Sequence, residues 1–303
     1  MNTPPVSTPG VFQRLVSNRV ALVACATLTL VVAVATVGPV LLPRGSGGVT
    51  DAQFLPPSAR HFFGTDLNGR DVFYRVSEGA RISLLVGISG ALISFFIGTA
   101  YGLVAGYAGG RLDSAMMRAV EILYSIPRLI IILIFISAFD THFKNWLAAH
   151  HFDSAIGYSR IAILVASLGL IEWLTMARIV RGQVLSLKSL QFVAAARSLG
   201  QSHAKIITRH LLPNLIGIVV IYLTLTIPAV ILDESFLSFL GLGIQAPQAS
   251  WGSLLSEGAQ VINPVHSYWW LLVFPAVVMS VTLLALNFLG DALRDALDPR
   301  ARR

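Results

Sequence analysis

Two loop segments carry residue types that bind metal ions in other proteins. The stretch GTDLNGRD at residues 64–71 combines glycines and carboxylates at turn spacing, but it lacks the carboxylate spacing of an EF-hand loop. Turn chemistry therefore favours a packed turn over a cation site. Histidines and aspartates also cluster between residues 140 and 156, although their spacing fits no strong zinc pattern. We expect no metal site and a solvated loop there, which contains Asp140, His142, His150, His151 and Asp153.

Ionisable side chains also occur within or beside strongly apolar segments. These residues are Glu121, Arg128, Glu172, Asp233 and Glu234. A charge surrounded by apolar chain is costly, so each of these positions is a candidate for function. We expect Glu172 to lie near the end of its segment with Arg178 and Arg181, where long side chains reach water or pair.

The chain has no stretch that would hold the phosphates of ATP. A Gly-x-x-x-x-Gly-Lys-Ser/Thr sequence, which cradles phosphates in many ATP-binding chains, is missing. Convergent nucleophiles, bases or metal ligands at segment ends are missing too, which disfavours a membrane enzyme. A proton-coupled carrier would need acidic or histidine relays in mid-helix and often two inverted halves, and no internal repeat is visible.

Apolar residues dominate the elements that must hold these groups. Hydrophobic residues make up 55% of the 303 residues and charged residues only 12%, a balance that no soluble core needs. Six segments are long enough to cross a hydrocarbon layer, which takes about 20 residues of helix, and backbone in lipid must satisfy its own hydrogen bonds. We predict an all-α polytopic membrane protein with six transmembrane helices, at residues 20–42, 82–106, 117–139, 157–180, 214–236 and 268–290.

Cysteine content and charge refine that class. The single cysteine, Cys25, excludes an internal disulfide and a cysteine-rich metal site. The first 19 residues are polar and the apolar run after them is too long for the core of a cleavable signal, so we expect it to remain as the first helix. Lys and Arg are about twice as frequent on the inner side if both termini are cytoplasmic. We therefore predict that orientation, which puts Glu172 near the cytoplasmic end of its helix.

The polar stretch at residues 191–214 then faces the cytoplasm. It has no acidic residue and contains Arg197, His203, Lys205, Arg209 and His210. We predict two short helices there. The first covers residues 192–199 and ends in a left-handed turn at Gly200. Ser202 caps the second, which ends near Leu212 because Pro213 follows.

The same stretch carries a patch of small and apolar side chains. Ala194, Ala195 and Ala196 form a surface with almost no side chain, to which a partner can come close. An exposed apolar patch usually marks a binding partner, and the alternative is that its members fold back on the membrane helices. The apolar residues around the alanines are Phe192, Val193, Leu199, Ile206 and Ile207.

Four glycines recur at four-residue spacing in the second apolar segment. They are Gly98, Gly102, Gly106 and Gly110. Small residues at this spacing line one face of a helix and let a neighbouring helix approach closely. We expect a role in helix packing, with a substrate path along the groove as the alternative.

At this point the chain resembles a known family. AAARSLG followed by HLLP is similar to the cytoplasmic signature of binding-protein-dependent ABC importers, which runs Glu-Ala-Ala, three residues, Gly, nine residues, Ile, any residue, Leu-Pro. Ala194 replaces the glutamate and His210 the isoleucine, so a salt bridge from position 194 to a partner is not expected. The matching residues are Ala195, Ala196, Gly200, Leu212 and Pro213.

Four longer stretches resemble the C-type membrane subunit of oligopeptide and dipeptide importers. Together they extend the resemblance over most of the chain, and four long stretches are more specific than one short motif. They are HFFGTDLNGRDVFYRVSEGARISLLVG (61–87), WLTMARIVRGQVLSLK (173–188), ESFLSFLGLGIQAPQASWGSLLSEGA (234–259) and NFLGDALRDALDPR (287–300).

The resemblance implies a type I ABC importer permease, a non-catalytic subunit of the bacterial inner membrane. In that family two related membrane subunits pair as a heterodimer, two cytoplasmic ATPase subunits bind ATP and Mg²⁺ beneath them, and an extracytoplasmic binding protein delivers peptide. The chain itself is then expected to bind no cofactor and no nucleic acid, and to contact membrane lipid. Oligopeptides are the expected cargo, with dipeptides, nickel chelates and peptide-like antibiotics as alternatives.

The resemblance also assigns roles to residues. Asp233 and Glu234, near the outer end of the fifth helix, either meet the amino terminus of a peptide in the pathway or pair with a neighbouring subunit. Residues 1–80 form a tail, the first helix and an outer loop, 81–291 the transmembrane domain, and 292–303 a cytoplasmic tail. The loop that sits in a groove of an ATPase subunit contains Phe192, Ala194, Ala195, Ala196, Gly200, His210, Leu212 and Pro213.

Overall fold

The computed structural model describes residues 11–41, 47–262 and 265–297, and these form an all-α structure. Six helices in this part of the chain are long and apolar enough to cross a membrane, which confirms the predicted fold class. The ends of the predicted first segment and of the predicted C-terminal tail lie outside the described residues. The six candidate spans are Arg19–Val40, Val72–Ala108, Arg128–Ala149, Ser159–Lys188, His203–Phe239 and Trp270–Leu297.

Twelve α-helices and one π-helical turn make up the described chain. The six longest are α2 (Arg19–Leu41), α3 (Val72–Ala108), α5 (Arg128–Ala149), α7 (Ser159–Lys188), α10 (Leu212–Phe239) and α12 (Trp270–Leu297). The shorter ones are α1 (Val11–Ser17), α4 (Gly110–Ser125), α6 (Asp153–Ile156), α8 (Gln191–Ser198), α9 (His203–Ile206) and α11 (Trp251–Gln260), and the π-helical turn covers Ile207–Leu211.

The helices α3 and α7 form the centre of the structure, and a row of glycines brings them together. A Cβ atom added at Gly98 would lie 2.6 Å from the Cβ of Met176, and one at Gly102 would lie 2.8 Å from the Cβ of Val180. Gly106 meets α7 in the same way, one turn further on. These approaches are closer than real side chains allow, so only glycine fits at all three positions.

Gly110 does not continue that row, contrary to the sequence prediction. It is the first residue of α4, its φ is +58°, and a Cβ atom there would meet nothing within 4 Å. The chain turns at Gly109 and Gly110, both of which have positive φ. Because α3 ends at Ala108, the four-residue spacing stops being a helical face before its fourth member.

The third predicted segment, 117–139, was placed about ten residues too early. A break at Ile126 and Pro127 separates α4 from α5, and Ile126 is extended with ψ of 131°. A residue that precedes proline is disfavoured in the helical region, which explains the break. The segment 140–156, predicted as a solvated loop, is consequently helical as far as Ala149. Within this helix, Lys144 pairs with Asp140 one turn away at 2.7 Å.

The second helix begins ten residues earlier than predicted. Asp71 caps α3 by accepting a hydrogen bond from the backbone N–H of Tyr74 at 3.1 Å. The preceding turn is packed, as its composition predicts, because the Asp66 carboxylate accepts bonds from the side chains of Arg70 and Arg75 at 2.8 and 3.0 Å. Arg75 also pairs with Glu257 of α11. The carboxylate of the turn is therefore occupied by the protein's own arginines.

Candidate functional site

The turn between α8 and α9 has the geometry that its sequence predicts. Gly200 has a φ of +72°. Its N–H donates to the Arg197 carbonyl at 2.9 Å, and the N–H of Gln201 donates to the Ala196 carbonyl at 3.1 Å. These two bonds close the end of α8 in the way common for a glycine-terminated helix. Ser202 then caps α9 by accepting from the N–H of Lys205, so the first half of the prediction is confirmed.

The second half is wrong, because the helical chain that begins at His203 does not end near Leu212. The chain stays helical through the π-helical turn at Ile207–Leu211 and into α10. In this turn the N–H of Leu212 donates to the Ile207 carbonyl, five residues earlier. Pro213 directly follows the π-helical turn as the second residue of α10, and the helix continues past it. From His203 onwards, the stretch is therefore continuous with a membrane helix.

The predicted apolar patch divides into a buried side and an exposed side. Val193, Ala196 and Ile206 are buried against Val180 and Val184 of α7. Ala196 therefore supports the two short helices from within and is not available to a partner. For these three residues the fold-back alternative is right, because each lies on the helix face that looks towards the membrane core.

The exposed side keeps small and apolar residues together. Leu199 is 79% exposed and Phe192 is 38% exposed, and Ala194 and Ala195 are exposed beside them. We call Phe192, Ala194, Ala195 and Leu199 the α8 face. Leu212 is only partly buried and Pro213 is exposed, at the start of α10.

His210 joins the two short helices. Its Nε2 lies 2.9 Å from the Oε1 of Gln201, and its ring lies against that of Phe192 with centroids 6.3 Å apart. The family signature has isoleucine at this position, so the imidazole replaces an apolar contact by a polar one. The hydrogen bond joins the turn after α8 to the π-helical turn.

Two further contacts attach this region to α3. The Oη of Tyr107 lies 2.7 Å from the Nδ1 of His203, and the Arg197 guanidinium lies 5.5 Å from the centre of the Tyr107 ring. Lys188, at the end of α7, donates to the Gly106 carbonyl at 2.7 Å. Lys188, which lies outside the 191–214 stretch, therefore holds α7 to the end of α3.

Arg181 and Asp113 form a two-point ion pair on the same side. The Nε and Nη2 of Arg181 lie 2.6 and 2.7 Å from the two carboxylate oxygens of Asp113. These hydrogen bonds hold the pKa of the Asp113 carboxyl below its usual value. Arg178 stacks over the Tyr124 ring at 3.8 Å. Both arginines therefore have partners, as predicted, although Arg178 lies about 15 Å from the end of α7 at 1.5 Å per residue.

Glu172 does not lie with them, which corrects the prediction. It is roughly 20 Å from either end of α7 at 1.5 Å per residue. An Nη1 atom of Arg128 lies 3.5 Å from Glu172 Oε1, and the Nη2 atom lies 2.8 Å from Asp233 Oδ1. We call Arg128, Glu172 and Asp233 the central charge cluster. The sequence gives no local sign of it, because its members lie on three helices; the rule that charges in a membrane need partners is the only signal.

Glu234 faces away from Asp233 and is fully buried. It accepts hydrogen bonds from Ser83 at 3.1 Å and from Ser238 at 2.6 Å. Ser83 in turn accepts a bond from the backbone N–H of Trp251 in α11. Glu234 therefore holds α3, α10 and α11 together and is not accessible to a peptide. The sequence prediction that grouped it with Asp233 in the pathway is wrong for Glu234.

Metal-binding residues do not converge in the described chain: no group of three or more His, Cys, Asp or Glu side chains there could hold a metal ion. The histidines of the 140–156 segment are spread along α5 and the turn after it. The Nδ1–H of His150 donates to the Trp146 carbonyl, one turn earlier in α5, at 2.8 Å.

Comparison with known proteins identifies the family to which a chain with this fold and these clusters belongs. Residues 98–303 match the family model described as binding-protein-dependent transport system inner membrane component. This chain belongs to that family. The match covers the glycine row, the central charge cluster and the α8 face.

Two relatives of this inner membrane component are similar over nearly the whole chain. The dipeptide transport system permease protein DppC of Bacillus subtilis is 45% identical over 298 residues, covering 98% of this chain and 87% of the relative. The oligopeptide transport system permease protein OppC of Haemophilus influenzae is 43% identical over 296 residues, covering 96% and 88%.

A solved structure has the same fold. A chain of the MetNI methionine ABC transporter, in an inward-facing conformation, matches with a TM-score of 0.55. The alignment covers 74% of this inner membrane component and 97% of that chain, at 18% sequence identity. The ABC importer permease architecture expected from the sequence is therefore confirmed.

Proposed function

We propose that this chain is the membrane-spanning permease subunit of an ATP-driven importer of oligopeptides. It forms half of a translocation pathway with a sister permease and takes up force from a cytoplasmic ATPase subunit through residues 191–214. Peptide is the cargo named for the two similar relatives. ATP and Mg²⁺ are bound by the partner ATPase subunits, and an extracytoplasmic binding protein supplies the peptide.

The observation that carries the coupling role is the α8 face on its rigid support. Ala194 and Ala195 leave the backbone open to close approach, and the exposed side chains of Phe192 and Leu199 flank them. An apolar patch of this kind in water fits a protein partner. Its support is the packing of Val193 and Ile206 against α7, so that a push on the face moves a membrane helix.

The length of the peptide is the finer question. One similar relative is named for dipeptides and the other for oligopeptides, at 45% and 43% identity, so identity alone does not separate the two cargoes. Oligopeptides are our first choice, and dipeptides are the second because a relative carries that name. Nickel chelates and peptide-like antibiotics would use the same architecture.

The test is reconstitution of the chain with its sister permease, two ATPase subunits and the binding protein in lipid vesicles. We expect ATP-dependent uptake of peptides of three or more residues into the lumen that corresponds to the cytoplasm, and no ATP hydrolysis by this chain alone. Uptake of dipeptides only would leave the permease role intact and change the cargo. ATP hydrolysis by the pure chain, or failure of the ATPase to co-purify, would contradict the proposal.

A further inference from the structure

The central charge cluster lies deep within the membrane-spanning part of the chain. Glu172 is close to the middle of α7, and Asp233 is six residues from the end of α10. Charged side chains at such a depth are costly and are retained where they pair or line an aqueous route. Glu172 and Asp233 both contact Arg128, so two carboxyl groups share one guanidinium.

The arginine of the cluster is open on one side. The Arg128 side chain is 56% exposed, whereas those of Glu172 and Asp233 are 14% and 10% exposed. A half-exposed guanidinium at this depth is not stable against hydrocarbon. Its open side therefore faces water or another protein, as it would in the wall of a route through the assembled transporter.

A second feature places the same wall beside irregular backbone. Ile126 and Pro127, directly before Arg128, interrupt the helical chain between α4 and α5, and both are exposed. Non-helical backbone at membrane depth is tolerated where it is buried in protein or lines a water-filled cavity. Transporters commonly bind their cargo near such interruptions in mid-membrane.

The charge balance of the cluster selects the ligand. Two carboxyl groups face one guanidinium, so the cluster has one acidic group more than it has cations. Arg128 contacts Glu172 through one carboxyl oxygen, Oε1, at 3.5 Å. A cation that donates hydrogen bonds would neutralise the cluster, whereas a further carboxylate would be repelled.

We infer that the central charge cluster binds the amino-terminal residue of a peptide during its passage. The α-ammonium group donates to Glu172 and Asp233, and the first carbonyl oxygen accepts from a free N–H of Arg128. Every unmodified peptide carries these two groups at a fixed separation, so the site would act on peptides of any sequence. This inference rests on the proposed function, because it needs peptide to be the cargo.

The test compares peptides with a free and an acetylated amino terminus, chosen so that the binding protein retains both. Uptake into vesicles is measured for the wild-type transporter, for Glu172→Gln, and for a triple variant, Arg128→Gln/Glu172→Gln/Asp233→Asn. The triple variant leaves no unpaired charge in the membrane, so loss of one partner does not confuse the result. Glu121→Gln is the control, because Glu121 pairs with Arg118 at an exposed site.

We expect the wild-type transporter and the Glu121→Gln control to prefer the free peptide by about tenfold or more, as one charged hydrogen bond implies. The Glu172→Gln and triple variants should lose most of this preference by importing the free peptide more slowly. If both variants keep the wild-type preference, or slow both peptides equally while retaining their ATPase, the inference is overturned. Failure of the wild type to import either peptide would instead contradict the proposed function.

Discussion

The hydroxyl of Tyr107 and the Nδ1 of His203 lie 2.7 Å apart, although the two residues are 96 positions apart in the chain. Tyr107 is the last residue but one of α3, and His203 is the first residue of α9. The contact therefore joins the end of a central membrane helix to the stretch that we propose couples to the ATPase. Movement of α9 would reach α3 directly, without passing through α7.

Removal of that contact should weaken the link between ATP hydrolysis and transport. Tyr107→Phe deletes one hydroxyl group and leaves the ring under Arg197, at a cost of about 1 kcal/mol for a single hydrogen bond. We expect the number of peptides imported per ATP hydrolysed to fall about two- to tenfold in vesicles. Tyr158→Phe is the control, because Tyr158 is exposed on the turn before α7. Equal ratios for Tyr107→Phe and wild type would contradict this role.

Gly200 should tolerate only residues that accept positive φ. A β-branched side chain at φ of +72° costs about 1–2 kcal/mol, although a Cβ atom there meets nothing within 4 Å. We expect Gly200→Val to reduce ATPase co-purification and uptake at matched membrane abundance, and Gly200→Asn to be much milder.

The matched control for Gly200 is Gly182→Val. Gly182 also has open space for a Cβ atom, but it lies within α7 with ordinary helical φ. Lys188→Ala is not suitable as a neutral control, because Lys188 bonds to Gly106. Similar behaviour of Gly200→Val and Gly182→Val would mean that the turn geometry does not matter for coupling.

Local rules were enough to predict this turn from sequence, but they failed where distant residues decide the structure. A glycine after an alanine-rich stretch is typical of a helix C-terminus, and a serine two residues later is typical of a helix N-cap. The end of α8 and the start of α9 were therefore predictable. Pro213 led to the wrong prediction that the second helix ends near Leu212. The π-helical turn before it changes the backbone hydrogen bonds, and the helix continues. Leu211 and Leu215, in and just after that turn, are buried against other helices, and local sequence does not contain such contacts.

The same distinction separates the two halves of the candidate site. The apolar patch at residues 192–207 could be predicted, but not which of its members are exposed. Ala194, Ala195 and Ala196 are the same residue type, and only the fold shows that Ala196 is the buried one. The central charge cluster was out of reach, because Arg128, Glu172 and Asp233 come from three helices. Pro127 is a local signal for a break in the helix, although the predicted segment 117–139 ran through it. That break places Arg128 at the start of α5, beside Glu172 and Asp233.

The close approach of α3 and α7 should make Gly102 intolerant of even one methyl group. An added Cβ atom lies 2.8 Å from that of Val180, and backbone atoms of α7 crowd it too. We expect Gly102→Ala to cost about 1–3 kcal/mol by overpacking and to lower the thermal unfolding midpoint in detergent. Gly217→Ala, where a Cβ atom meets nothing within 4 Å, should be neutral or slightly stabilising. Equal midpoints for the two variants would refute the packing argument.

Both ends of the chain should lie in the cytoplasm. The termini and the connectors on the same side as them carry about twice as many Lys and Arg residues as the connectors on the other side, and such an excess is typical of the cytoplasmic side. A reporter that is active only in the cytoplasm, fused after Arg303, should be active, and one that is active only outside should be silent. A fusion within the connector between α2 and α3 should give the opposite pattern. Activity of the external reporter after Arg303 would overturn the orientation and, with it, the coupling role of the α8 face.

The ion pair between Asp113 and Arg181 should make part of the stability depend on pH. The hydrogen bonds from Arg181 lower the pKa of Asp113 in the folded protein, so folding is favoured wherever this carboxyl would be charged in the unfolded chain. That contribution is complete above the unfolded pKa of about 4 and is lost as the pH falls through the lower, folded pKa. We expect the unfolding midpoint of Asp113→Asn to lie below that of wild type at pH 7, and the difference to shrink as the pH is lowered below about 4. Glu121→Gln, at the exposed pair with Arg118, should show no such convergence, because that pair is open to solvent on both sides. A constant difference between Asp113→Asn and wild type across this range would show that Asp113 acts through packing and not through its charge.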